Sequence, residues 1–158
     1  VGYLHKIEDF EFIKGVFDAC LYFQSLSYRI IIVTNQSGIE RGYYSKDDFH
    51  IVNNWMLGQF KIRRSDILDV FFCPHGPESN CNCRKPKPGM FNQANDKYNI
   101  DMKNSWMIGD KEADITSANA AGIQNTVLVK SGHEINEKNS KAKFILDSIK
   151  QVKAVIKS

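Results

Sequence analysis

The chain has 158 residues, 42% of them hydrophobic and 25% charged, with a formal net charge of +3. That is enough apolar material for one core, and no linker-like segment or internal repeat divides it, so residues 1–158 read as a single domain. The small, dispersed positive charge argues against a nucleic-acid partner, and no apolar run approaches the roughly 20 residues needed to cross a bilayer.

Strand and helix signals alternate along the chain. Ile13, Val16, Phe17, Cys20 and Leu21 form a helical stripe between Glu11 and about Leu26, with Cys20 as a buried free thiol. Ile30-Ile31-Ile32-Val33 is a continuous β-branched run within Arg29–Asn35, as expected of a strand buried on both faces. Ser45 and Asp48 form a capping-box-like start for a second helix, whose Phe49, Val52, Met56 and Phe60 share a face. Leu68–Phe72 is the next strand, and Pro88 suits the first turn of a helix reaching about Tyr98. Trp106–Ile108 reads as a short strand, Ala113–Ala121 as a helix stopped by Gly122, and Thr126–Val129 as a further strand. Phe144–Leu146 is a candidate last strand, with Asp147 capping a final helix through Val155, or else the tail is one longer helix. Trp55 and Trp106 read as core, and His5, His50 and His133 as surface residues. Strands spaced by helices in this rhythm predict parallel βαβ units in a three-layer α/β/α, Rossmann-like domain.

One loop stands out. Cys73-Pro-His75 and, five residues on, Cys81-Asn-Cys83 gather three of the four cysteines and one of the four histidines. Three thiolates and an imidazole match a closed tetrahedral zinc site, structural because no position remains for water. A disulfide is the competing reading, but it leaves His75 without a role. Thiols reserved for metal also point to a reducing, cytoplasmic compartment.

In parallel α/β folds the chemistry collects where strands end. After three successive predicted strands come Thr34-Asn35-Gln36-Ser37-Gly38, the Cys/His loop with Arg84-Lys85, and Gly109-Asp110-Lys111-Glu112-Ala113-Asp114. A hydroxyl among backbone amides, several cations and a carboxylate able to hold Mg²⁺ are the parts of a phosphoryl-binding site. Taken singly, Thr34 is an ordinary strand-end hydroxyl, Arg84 and Lys85 a solvated pair, and Asp110 a helix cap with Asp114 on its exposed side. Recurrence after three strands favours the chemical reading.

The segments Ile31–Ile39, Cys83–Met90 and Met107–Asp114 resemble the second, third and fourth motifs of haloacid-dehalogenase-type phosphatases, over almost the whole chain. The Cys-x-His and Cys-x-Cys loop ahead of Arg-Lys-Pro is similar to the branch containing heptose bisphosphate and histidinol-phosphate phosphatases. Residues 2–12 and the Ser37-Gly-Ile-Glu-Arg41-Gly loop resemble the heptose branch. The resemblance implies a Mg²⁺-dependent phosphatase with an aspartyl-phosphate intermediate, acting on a sugar bisphosphate, monomeric, with a structural Zn²⁺ loop and no large cap. It implies Thr34 and the amides of Asn35, Gln36 and Ser37 on the phosphoryl oxygens, and Lys85 and Lys111 beside the phosphate. Asp110 would hold Mg²⁺, Arg84 would meet the distal sugar or second phosphate, and Gly2 and Tyr3 would line the sugar pocket. Asp114 would orient Lys111 or the Mg²⁺ shell.

The sequence departs from the pattern in one respect. Family members open on a buried strand ending in Asp-x-Asp-Gly-Thr, whose first carboxylate attacks phosphorus and whose second serves as acid and base. Residues 1–158 contain no Asp-x-Asp: Asp9 precedes Phe10 and Glu11, and Asp47-Asp48 lies in a helical pattern. The expectation is that the natural protein carries roughly 20 residues ahead of Val1, enough for that strand and turn. A histidinol-phosphate phosphatase and a non-catalytic phosphate-binding module are the alternative readings.

Overall fold

The computed structural model describes residues 12–130 and 135–157, which fall into two compact units, one running to Asn80 and the other from Cys81 to Lys157. Gly2, Tyr3, His5 and His133 lie outside the described residues.

The first unit contains helix α1 (Val16–Ser25), strand β1 (Ile30–Asn35), helix α2 (Lys46–Ile62) and strand β2 (Ile67–Cys73). Helix α1 begins five residues later than the apolar stripe predicts. Gly15, at φ +93°, occupies the left-handed region, and the first helical turn starts after it. Helix α2 begins as the sequence indicates: the Ser45 side chain accepts from the Asp48 N–H, and the Asp48 carboxylate accepts from the Ser45 N–H, each at 3.0 Å. Its Phe49, Val52 and Phe60 are buried, and Phe12, Phe17 and Phe60 form a ring cluster with centroids 4.6 to 5.6 Å apart that joins α1 to α2. Trp55 sits at the edge of this cluster, 5.9 Å from Phe12, and is half-buried, not core. His50 is exposed, as expected.

Strands β1 and β2 are parallel, with Thr34 opposite Phe72 and Asn35 opposite Cys73. The loop after β1 and the Cys/His loop after β2 therefore leave the sheet at the same level. Each β1 residue is only half-buried, although the Ile-Ile-Ile-Val run predicts burial on both faces. The reason is its single ladder: among the described residues β1 pairs with β2 alone.

The second unit contains helix α3 (Gly89–Tyr98), strand β3 (Trp106–Gly109), helix α4 (Glu112–Ala120), and strands β4 (Asn125–Val129) and β5 (Phe144–Leu146). The three strands are parallel in the order β3-β4-β5, and β4 is the most deeply covered, with Val127 and Leu128 essentially inaccessible. Gly122 at φ +101° ends α4, and the Ile123 N–H turns back to the Ala118 carbonyl at 2.9 Å, the C-terminal stop read from the sequence. Trp106 is half-buried on β3 and stacks on Phe144 at 5.9 Å, so it caps the sheet surface and is not core. The predicted final α-helix is instead a 3-10 helix over Ile149–Ala154, capped by Ser148 and not by Asp147. Its start is tight because Ser148 Oγ accepts from the Lys150 N–H while Gln151 Oε1 accepts from the Asp147 and Ser148 N–H groups. Among the described residues no helix is long and apolar enough to cross a membrane.

Candidate functional site

In the first unit the site begins at Thr34, the penultimate residue of β1. Gln36 Nε2 donates to Thr34 Oγ1 at 3.0 Å, and Gln36 Oε1 accepts from the Tyr44 hydroxyl at 2.5 Å. Thr34 Oγ1 in turn donates to the Asn35 carbonyl at 3.4 Å, a long and weak bond that a better acceptor can replace. Gln36 thus spends its side chain bracing Thr34. Tyr44, 6% exposed, holds the brace in place and also packs its ring where a Gly38 Cβ would stand, which explains a glycine there. Ser37 is buried at 7% exposure.

The same loop is tied to the first arm of the Cys/His loop. The Gln36 N–H donates to the Cys73 carbonyl at 2.7 Å, the Glu40 N–H donates to the Pro74 carbonyl at 3.1 Å, and the Glu40 carboxylate accepts from the Gly76 N–H. Neither Tyr44 nor Glu40 was singled out from sequence, because their partners lie 8 and 36 residues away with no periodic pattern to mark them.

In the second unit the loop's other arm is held separately. Lys87 Nζ donates to the Cys81 carbonyl at 2.7 Å, the Gly89 N–H donates to the Asn82 carbonyl at 2.9 Å, and Ser117 Oγ donates to the Lys87 carbonyl at 2.6 Å. The ligand atoms of Cys73, His75, Cys81 and Cys83 all lie within 4.8 Å of one another along this continuous eleven-residue segment, with Cys73 Sγ 3.6 Å from His75 Nδ1. None of the four cysteines, all among the described residues, is joined in a disulfide, so the disulfide alternative is not what this loop forms. A zinc ion about 2.3 Å from sulfur and about 2.0–2.1 Å from ring nitrogen sets tetrahedral neighbours roughly 3.5–3.8 Å apart. The donor set and spacing fit zinc after small adjustment.

Asp114 organises the remaining residues. It is buried at 5% exposure on α4, where the sequence allowed an exposed position. Its Oδ1 lies 2.5 Å from Lys85 Nζ, and its Oδ2 accepts from the N–H groups of Asp110 and Lys111, both at 3.2 Å. Gly109 is required at the end of β3 because a Cβ there would run into the Asp114 carboxylate. One carboxylate therefore fixes Lys85 and the turn carrying Asp110 and Lys111. It does so with both oxygens occupied, and Asp110, Lys111 and Glu112 line the adjoining cleft of about 200 Å³, Glu112 with its carboxylate accepting from Ser140 and Lys141. A single carboxylate supplemented by substrate oxygens suits Mg²⁺, which keeps much of its shell for water and phosphate. Arg84 is half-buried in the turn before Lys85, where its carbonyl accepts the Lys87 N–H at 2.9 Å.

An α/β domain with parallel strands, a hydroxyl-bearing loop after one strand and an acidic Gly-Asp turn after another defines a Rossmann-like hydrolase of the haloacid-dehalogenase class. The HAD-hydrolase-like family matches residues 82–152. D-glycero-alpha-D-manno-heptose-1,7-bisphosphate 7-phosphatase of Photorhabdus laumondii is 45% identical over 90% of this chain and 81% of its own length. D-glycero-beta-D-manno-heptose-1,7-bisphosphate 7-phosphatase of Pasteurella multocida is 42% identical over 99% of this chain and 89% of its own. The crystal structure of D,D-heptose 1.7-bisphosphate phosphatase from B. bronchiseptica, complexed with magnesium and phosphate, superposes with a TM-score of 0.84 at 24% identity, over 95% of this chain and 86% of that one. The chain belongs to the heptose-1,7-bisphosphate 7-phosphatase family.

Proposed function

We propose that this protein removes the 7-phosphate of D-glycero-D-manno-heptose 1,7-bisphosphate in the biosynthesis of bacterial surface heptose, as a cytoplasmic monomer. The observation that carries the chemistry is the buried Asp114 clamp, which ties Lys85 and the Asp110-Lys111 turn to one carboxylate. The substrate follows from the relatives' names.

In this reading Thr34 turns its hydroxyl hydrogen from the Asn35 carbonyl to a phosphoryl oxygen, and the backbone amides of Asn35 and Ser37 add further donors, whereas the Gln36 amide, expected from the sequence to join them, is taken by the Cys73 carbonyl. Lys85 and Lys111 neutralise the charge that builds on the transferring group, and Arg84 offers its guanidinium fork to the distal sugar or second phosphate. The family resemblance also assigns Gly2 and Tyr3, which lie outside the described residues, to the sugar pocket. Asp110 would hold Mg²⁺, which when bound neutralises phosphate charge and aligns the ester for displacement. Cys73, His75, Cys81 and Cys83 would hold a structural Zn²⁺ that keeps Arg84 and Lys85 at fixed angles. No residue of 1–158 is assigned as the nucleophile, since the sequence contains no Asp-x-Asp.

Titration calorimetry with Mg²⁺ present tests the substrate. The heptose bisphosphate should bind at least about tenfold more tightly than histidinol phosphate, the margin that one or two added polar contacts supply. A preference for histidinol phosphate would overturn the assignment.

A further inference from the structure

The cleft beside Asp110 and Lys111 has a second wall that the phosphate chemistry does not use. Ile135, Asn136 and Asn139 line it from the segment that follows β4, with Leu128 beneath. This wall is firmly anchored. Glu112, the first residue of α4, accepts from Ser140 Oγ at 2.7 Å and from the Lys141 N–H at 2.8 Å, so the segment is bonded to the helix that begins next to Lys111. Lys130 adds a clasp, with its ammonium 2.5 Å from Glu137 and 3.4 Å from Asp147, and Glu137 first and Asp147 second raise its pKa above the ordinary lysine value. Between these anchors Glu137–Asn139 forms a 3-10 turn, which leaves Asn136 and Asn139 exposed on the cleft.

We propose that Asn136 and Asn139 bind the hydroxyl groups of the substrate's sugar and so help set specificity, which rests on the phosphatase reading above. A carboxamide presents a donor and an acceptor side by side, the complement of neighbouring sugar hydroxyls, each of which both gives and takes a hydrogen bond. A neutral pair suits the position. It discriminates polyols from bare phosphate while adding no charge to compete with Lys111, and half-buried Ile135 supplies an apolar surface for the sugar's C–H face. The cleft, at about 200 Å³, has room for a phosphoryl group and the nearer part of a sugar, so the walls meet different parts of one ligand.

The test is titration calorimetry of the full chain and of Asn136→Ala/Asn139→Ala, with Mg²⁺ present, using the heptose bisphosphate and inorganic phosphate as separate ligands. Both positions are exposed, so the variant should fold, and its thermal unfolding is measured alongside. The expected result is about a tenfold loss of bisphosphate affinity with inorganic phosphate unchanged. Unchanged bisphosphate affinity overturns the proposal and leaves the phosphatase reading intact. An equal loss for both ligands also overturns it, because the residues would then act on the phosphate end. A parent chain that takes inorganic phosphate but not the bisphosphate overturns the substrate reading and this proposal together.

Discussion

Lys85 Nζ and Asp114 Oδ1 meet at 2.5 Å across 29 residues of sequence, with side-chain exposures of 13% and 7%. A pair this deeply covered differs from a surface ion pair, because removing one partner strands the other without solvent. Asp114→Ala should therefore cost about 3–5 kcal/mol. Asp114→Asn should cost less, since its carbonyl oxygen still accepts from the Asp110 and Lys111 amides. Urea unfolding measures both, and a loss below about 1 kcal/mol for the alanine variant would put the pair among ordinary surface contacts.

The Tyr44–Gln36–Thr34 chain makes a narrower prediction. Tyr44→Phe keeps the buried ring against Gly38 and deletes only the hydroxyl that donates to Gln36. Stability should fall by about 1 kcal/mol, and affinity for inorganic phosphate should fall several-fold, because Gln36 no longer holds Thr34 in one orientation. Calorimetry of the variant decides it. Phosphate affinity equal to that of the parent would mean that the brace does not set the hydroxyl's direction.

What the sequence made legible divides by range. The capping box at Ser45 and Asp48, the stop at Gly122 and the metal donors between Cys73 and Cys83 are local patterns, and each was readable because its partners lie within about ten residues. The spacing of Asp110 and Asp114 showed that both sit at one helix start, but not which faced solvent. That depended on Lys85, which arrives from another loop. Tyr44, Glu40 and the Glu112 anchor for Ser140 and Lys141 were invisible for the same reason: each is a single polar contact closed by tertiary packing. The last helix was misjudged because a strong cap at Ser148 says where a helix starts and not whether it will wind as α or 3-10.

Zinc should be found at one ion per chain by elemental analysis. Dialysis against a strong chelator should remove it and lower the unfolding temperature by several degrees or more, because metal binding to four donors of the folded loop adds its free energy to folding. Re-addition of Zn²⁺ should restore the transition. Protein purified from zinc-containing medium without bound metal would refute the assignment.

Cys20 gives a test by pH. It is 6% exposed, and burial pushes its thiol above the ordinary 9.0, opposed in part by the neighbouring Ser65 hydroxyl. A raised folded-state value means the thiol's contribution is whole below the unfolded pKa and is lost as pH climbs through the folded one. The parent should therefore lose more stability between pH 8 and pH 10 than Cys20→Ala does, and Cys20 should be the slowest of the four thiols to react with an alkylating reagent after zinc removal. Parallel pH curves for the two proteins would contradict this.

Catalysis itself makes the sharpest prediction. In the proposed reading Thr34, Lys85, Lys111 and Asp110 bind and neutralise the phosphoryl group and none attacks phosphorus as a paired aspartate does: Thr34 accepts from Gln36, and Lys85 is held by Asp114. A polypeptide of residues 1–158 should bind the heptose bisphosphate with Mg²⁺ and release no phosphate above the uncatalysed rate. Adding an apolar peptide that ends in Asp-x-Asp-Gly-Thr offers a carboxylate pair in trans. Turnover that appears only with the peptide supports an aspartyl nucleophile. Turnover by residues 1–158 alone would require a different attacking group and would refute the mechanism.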